Sequence, residues 1–311
     1  AAQAAHLSGD KNAARRYFAQ LSKNKDTAYY GLIGIMNLQS QNNDHERSLA
    51  AAHKALKIQP ESITALTHIF WRNIEEKEWE KSLEIIALLK PQLANYEEQK
   101  KQFENREIGL CYLLAHHASE QTAQTIWLKR ALKINESNIA CLVSLARLYQ
   151  KSDLNKQMTK IAERGFILNP HQDYIDLLRD GFTNNIAKFI VRLTKLARQS
   201  KYKIEAYRLV IAASLDADIL PPAISLLSEI PQNEMTNEDY LLVAELAEKQ
   251  TDLSRAKIAL QDAARAPRGK AWRCCSCSTI TVQYEPICPQ CSEIGMVDWK
   301  NESHNVVKPV V

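Results

Sequence analysis

Four cysteines stand as two pairs, Cys274-x2-Cys277 and Cys288-x2-Cys291. Two residues between thiolates let one tight turn bring both sulfurs to about 2.3 Å from a single ion, and two such turns supply the four tetrahedral ligands that zinc takes. The spacing predicts a structural Zn²⁺ site. Iron is the alternative, because a Cys-Pro-x-Cys knuckle such as Cys288-Pro289-Gln290-Cys291 also occurs in rubredoxins. Four thiolates leave no open coordination position, so the metal is expected to be architectural rather than hydrolytic. A redox dithiol would use one pair and leave the other without a role. Cys275 lies between two ligands, is expected to face elsewhere, and is left out of the set. Arg268, Lys270, Arg273 and Lys300 flank the centre and could offset its negative charge, while Trp272, Tyr284 and Trp299 could cover the sulfurs.

No second constellation competes with the cysteines. His116 and His117 are adjacent on a helical stretch, where neighbouring side chains diverge by about 100°, and no partner follows at the next turn. Glycine-rich phosphate loops, nucleophile elbows and paired carboxylates are missing. Cys111 and Cys141 fall on apolar helix faces, as do Trp71, Trp79 and Trp127, so packing accounts for them. An enzyme is not expected. The formal charge of +4 comes from Lys and Arg interleaved with Glu along helices, which is a solvated face rather than a nucleic-acid footprint. Seven cysteines with four in paired knuckles argue for a reducing compartment, the cytoplasmic side.

The elements that must position the cysteines are helical. Gly 8 and Pro 10 are low counts in 311 residues, and β-branched residues do not gather into alternating runs before the last forty. Three segments end alike, at Ile58-Gln59-Pro60, Ile134-Asn135-Glu136 and Leu168-Asn169-Pro170, and the last two lie 34 residues apart. That is the period of the tetratricopeptide repeat, one helix pair per unit. Between Pro60 and Glu136 the separation is 76, one unit of 34 and one of 42, so an insertion is expected around Pro91 and Tyr96 to Arg106, as a longer helix. Gly9-Asp10 followed by Ala14 and Phe18 gives a turn, a small residue where two helices touch, and an aromatic one turn on. Sixteen helices in eight pairs are expected from Ala1 to Ala264, with Ser152-Asp153 and Thr251-Asp252 capping the helices that follow them and Pro221-Pro222 in a first turn.

Ala266-Pro267-Arg268-Gly269-Lys270 ends the last helix, and Thr279 to Tyr284 is an alternating, strand-prone run expected to form a hairpin between the knuckles. The expected class is all-α: a tetratricopeptide-like superhelix over 1–265, a rubredoxin-like zinc ribbon over 266–300 and a disordered tail over 301–311. The ribbon is too small to fold on apolar burial alone, so metal binding would supply most of its folding free energy. Stacked pairs would offer a groove to a protein partner. Nothing in the sequence sets an oligomeric state.

Taken together, the chain resembles the HemY-type tetratricopeptide proteins of Gram-negative bacteria, in the alphaproteobacterial form that ends in a zinc ribbon. The residues carrying the resemblance are Ala2-Gln3-Ala4, Gly9-Asp10, Ala13 to Arg16 and Tyr30 to Gly34, then Ala266-Pro267-Arg268, Trp272-x-Cys274-x2-Cys277, Cys288-Pro289-x-Cys291 and Trp299. Tyr284 stands near where that family often has tryptophan, and no glycine follows Cys277 or Cys291 to ease the turn. The resemblance implies an inner-membrane protein with its soluble portion in the cytoplasm, two membrane helices ahead of Ala1, a membrane-associated protein partner and a link to late haem or porphyrin metabolism. Ala1 already stands inside a helical pattern, in keeping with a longer chain upstream. A similar architecture occurs in LapB-type proteins, adaptors in the control of lipopolysaccharide synthesis, whose ribbon packs on the repeats. The same docking is expected here, with Trp272 or Trp299 as anchor. A porphyrin-binding carrier is a further alternative.

Overall fold

A computed structural model of the protein describes residues 1–182 and 185–301. The expected tail over 301–311 lies, from residue 302 on, outside the described residues. The fold class is the one expected: sixteen α-helices among the described residues, followed by a small three-stranded sheet. Contacts divide the chain into two compact units, Ala1–Leu114 and Ala115 onward, each considered by itself below.

In chain order the helices alternate between first and second positions of the repeat. First helices are α1 (Ala2–Leu7), α3 (Ala28–Gln41), α5 (Ile63–Glu75), α7 (Glu97–His117), α9 (Ile139–Lys151), α11 (Gln172–Arg179), α13 (Lys203–Asp216) and α15 (Asn237–Lys249). Second helices are α2 (Lys11–Leu21), α4 (His45–Ile58), α6 (Trp79–Gln92), α8 (Gln121–Ile134), α10 (Asn155–Leu168), α12 (Ile186–Gln199), α14 (Leu220–Ser228) and α16 (Leu253–Ala263). Successive second helices begin 34 residues apart or within three of that, except between Trp79 and Gln121, where the step is 42. The longer step is taken up by α7, whose 21 residues hold Glu97 to Arg106 of the expected insertion, while Pro91 lies inside α6.

One turn recurs within the pairs. Gly9, Asn43, Lys77, Asp153, Asp218 and Thr251 all have positive φ, and each sits one residue before the N-cap of a second helix. The N–H of the following residue then donates back into the helix just ended, as from Asp44 to the Gln39 carbonyl (2.9 Å) and from Asp252 to the Ala247 carbonyl (2.8 Å). These are Schellman closures, which satisfy carbonyls the helix end leaves open. They correct one expectation: Ser152 and Asp153 do not cap α10, whose N-cap is Leu154, because Ser152 closes α9 and Asp153 takes the left-handed position. Asp252 does cap α16, accepting from the Arg255 N–H at 3.0 Å.

Close helix approach in the first unit rests on missing side chains. Ala14 is fully buried, and a Cβ on Gly34 would lie 2.1 Å from the Phe18 ring. Ala51, Ala52 and Ala55 of α4 pack with Met36, Ala65 and Ile69 in one cluster. At the edge of that packing the buried Ser48 hydroxyl donates to the Met36 carbonyl (2.9 Å) and lies 2.8 Å from His68 Nε2, so that ring nitrogen carries the proton. The His68 pKa is lowered from the ordinary 6.5, first by burial, which disfavours the charged ring, and then by Arg72. A depressed folded-state pKa contributes stability that is complete above the unfolded value and is lost as pH falls through the folded one. His68→Gln is therefore expected to flatten the loss of thermal stability between about pH 6.5 and pH 5; an unchanged slope would mean that His68 does not set it.

Candidate functional site

The ribbon is built from β1 (Ala271–Cys274), β2 (Ile280–Thr281) and β3 (Val297–Lys300), in the order β2-β1-β3 with both pairings antiparallel. This differs from the expected hairpin between the knuckles. The strand run contributes only two residues to β2, which pairs backward with β1, and β1 also pairs with β3 beyond the second knuckle, with Trp272 opposite Trp299. The central strand is the one leading into the first knuckle.

Each knuckle is a turn ending in a left-handed residue. Ser278 (φ 62) donates its N–H to the Cys274 carbonyl at 3.0 Å, and Ser292 (φ 58) to the Cys288 carbonyl at 2.9 Å. Serine thus takes the conformation that glycine would ease, and the turns form without it.

The turns bring the four sulfurs within 4.8 Å of one another. Cys274 and Cys291 are 3.7 Å apart, sulfur to sulfur, and Cys277 and Cys288 3.6 Å. A disulfide needs about 2.05 Å, and all four are free thiols. Four ligands at about 2.3 Å from a central ion would be about 3.8 Å apart along each tetrahedral edge, so the donor set fits a tetrahedral thiolate metal. Burial pushes the Cys274 thiol up to about 11 and Cys291 higher still. Burial acts the same way on Cys277, but hydrogen bonding with the Thr279 hydroxyl and N–H outweighs it and brings that thiol down to about 6. Thiols this close cannot all ionise unless a cation lies among them. Such an ion would cross-link the two knuckles and order the strands, and four protein ligands leave it no position for substrate.

The fifth ribbon cysteine, Cys275, turns away from the cluster, its sulfur accepting from Lys300 Nζ at 3.1 Å. Lys270 does not serve the metal centre as expected. It reaches Glu205 at the start of α13 (3.2 Å) and lies over the Tyr202 ring.

The ribbon and the helices of the second unit share one core. Trp272 is 6% exposed and packs, with Cys274, Cys288, Met296 and Val297, in the same cluster as Tyr174, Ile175 and Leu246. Both tryptophans meet His171, the N-cap of α11, with ring centroids at 5.4 Å from Trp272 and 4.7 Å from Trp299. The chain leading into the ribbon is fastened to α15, where the Asn237 N–H donates to the Pro267 carbonyl (2.8 Å) and the Gly269 N–H to Glu238 (2.9 Å). His171 belongs to no motif in the sequence; besides its local pairing with Asp173 (3.2 Å) its contacts are with tryptophans more than a hundred residues away.

This docking leaves a cavity of about 530 Å³ on the first-helix face. Its walls are His171 and Gln172 from the head of α11, Leu209 and Ala212 from α13, Leu241 and Leu242 from α15, and Gly269, Lys270 and Trp299 from the ribbon. The charges around it are largely satisfied internally. Arg208 makes two bonds to the fully buried Asp239, at 2.8 and 2.9 Å, and Lys270 holds Glu205. What remains is an apolar floor whose rim carries the exposed Glu238 carboxylate.

No family model matches the chain, and no curated protein matches it. Among solved structures, 35 chains match. One is a protein described as YrrB, a TPR protein with an unusual peptide-binding site, at 14% identity and a TM-score of 0.21, covering 78% of this chain and 97% of that one. A TM-score of that size bears on neither fold nor function, and the repeat assignment stands on the helix spacing and the recurring turn.

Proposed function

We propose that the protein is a non-enzymatic adaptor. In this reading the first-helix face binds an extended segment of a protein partner, and a zinc ion in the Cys274, Cys277, Cys288 and Cys291 site holds the ribbon in place as one wall of the binding groove. The observation that carries it is the composition of the cavity. Three successive first helices and the ribbon converge on it, and its walls are largely apolar. Repeat arrays bind along such faces because each pair presents equivalent positions in register. The HemY-type resemblance adds a setting, the cytoplasmic side of a bacterial inner membrane with a link to late haem metabolism. Among the described residues no helix is long and apolar enough to cross a membrane. The shared core of ribbon and repeats favours a second reading as well, a LapB-like adaptor in lipopolysaccharide control, since packing of the ribbon on the repeats is the feature that architecture implies.

A photoreactive amino acid placed at Leu241, 45% exposed in the groove, should give a discrete crosslinked partner in cells. The same probe at Val191, 68% exposed on a second helix, should not. Equal yields from both positions, or none from either, would remove the groove as the binding face.

A further inference from the structure

The helices of the second unit divide charge by position. Its second helices, α8, α10, α12, α14 and α16, carry 12 Lys and Arg against 2 Asp and Glu, whereas its first helices α9, α11, α13 and α15 carry 6 against 8. Along the chain the two signs interleave, and the alternation of helices sorts them onto different elements. The division is sharpest at α12, where Lys188, Arg192, Lys195 and Arg198 are all exposed and no acid stands on the helix. Its neighbour α14 carries no charge at all.

Exposed aliphatic side chains follow the same division. Ile186 and Val191 stand out of α12, Ile224 out of α14, and Leu253, Ile258 and Leu260 out of α16, with Leu253 74% exposed. On the four first helices Leu241 alone does so. The helices α12 and α14 lie side by side, since Val191, Lys195 and Arg198 of the one and Pro222 and Leu226 of the other line a single recess of about 510 Å³. Arg192 is paired with Glu163 of α10, and Arg198 reaches Glu229, just past α14, at 3.9 Å. Among the described residues no ion pair forms at Lys188 or Lys195.

We propose that this face of α12 and α14 lies on an anionic phospholipid surface. Cations alone would suit any polyanion. Cations set among branched aliphatic side chains suit a bilayer interface, where Lys and Arg meet the headgroup phosphates and the aliphatic chains enter the boundary beneath them. A nucleic acid would find nothing to stack on, because neither helix exposes an aromatic side chain. The recess holds the same mixture, apolar at Pro222 and Leu226 and basic at Lys195 and Arg198. The next second helix repeats it, with Arg255 and Lys257 between Leu253 and Ile258. The groove beside the ribbon is built from first helices and this face from second helices, so the two use different residues and neither depends on the other.

The test is co-sedimentation of the metal-loaded 311-residue chain, at low salt, with vesicles of phosphatidylcholine alone or mixed with phosphatidylglycerol. The native chain should bind the mixed vesicles about tenfold more tightly or better, since each basic residue near an anionic leaflet contributes roughly fivefold. Lys188→Glu with Lys195→Glu should lose about tenfold or more on those vesicles. Lys151→Glu with Lys203→Glu makes the same charge change at exposed first-helix lysines and should stay within about twofold of native. Val191→Ser with Ile224→Ser should weaken binding about fivefold. All six positions are exposed, so each variant is expected to keep its helical circular dichroism.

Equal binding to the two kinds of vesicle overturns the proposal, as does an equal loss from the first-helix pair. Unchanged binding by the Val191→Ser, Ile224→Ser chain also overturns it, since a face that needs only charge would take any polyanion. So does a duplex DNA probe held more tightly than the mixed vesicles and released by the Lys188→Glu, Lys195→Glu change. A native chain that dimerises where the Val191→Ser, Ile224→Ser chain stays monomeric overturns it as well, because the face would then be covering a second copy. Photocrosslinking at Leu241 reads the groove and is untouched by any of these results.

Discussion

Replacing Cys288 and Cys291 together by serine is expected to reduce bound metal from one ion per chain to none and to unfold the ribbon. The two residues supply the whole second knuckle, and both sulfur pairs lose a member, since Cys274 stands 3.7 Å from Cys291 and Cys277 3.6 Å from Cys288. Structural zinc supplies about 10–16 kcal/mol in small domains of this kind, far more than a four-residue strand pair can replace. The loss should spread. Trp272 and Trp299 would leave His171, and Glu205 and Glu238 would lose Lys270 and Gly269. Tryptophan emission should shift to the red, and limited proteolysis should open new sites around Pro267 and at the heads of α13 and α15. A chelator added to the native protein should reproduce that pattern. If cleavage within the helices ignores the metal, the ribbon does not brace them; a double variant that still holds one ion per chain would exclude these cysteines as ligands.

The second large effect is expected far from the metal, at Gly31. A Cβ there would fall 2.3 Å from the Ser22 backbone nitrogen and 2.8 Å from the Phe18 carbonyl oxygen. Those are backbone atoms and cannot turn aside as a side-chain end could, so α2 and α3 would have to separate. Overpacking of this kind costs about 3 kcal/mol, and Gly31→Val should exceed Gly31→Ala. Gly9 makes the control, because a Cβ there meets nothing within 4 Å and its constraint is the positive φ of the turn alone. Gly9→Ala should cost only about 1 kcal/mol. Thermal unfolding followed on both variants would rank them; a Gly31→Ala protein as stable as native would mean the helices can move apart freely.

Helix pairs were legible in the sequence where they carry their own punctuation. Asp10, Asp44 and Asp252 cap second helices by accepting from the third residue onward, and the 34-residue step survives an insertion that one long helix absorbs. The four cysteines were legible because knuckle spacing is a local geometric requirement. Features that depend on distant parts of the chain were not. Asp153 reads as a cap by residue type and becomes the left-handed residue of a Schellman turn, since the end of α9 competes for it. Pairing of β1 with β3 joins segments on either side of both knuckles, and β2 is shorter than its alternating run suggests. His171 meets the tryptophans across more than a hundred residues, and neither that contact nor the cavity beside it has any local signature.

That contact also bears on how the second unit would respond to force. Most packing in a repeat array joins sequence neighbours, so an array pulled from its ends comes apart one pair at a time, like a zip. Here Trp272 and Trp299 are fastened to the head of α11, and the five helices from α12 to α16 lie within the span so closed. Tension entering through the ribbon would reach α11 directly instead of passing along that span. Those helices should hold until the aromatic clasp slips and then extend together, giving one tall force peak where an open array would give several low ones.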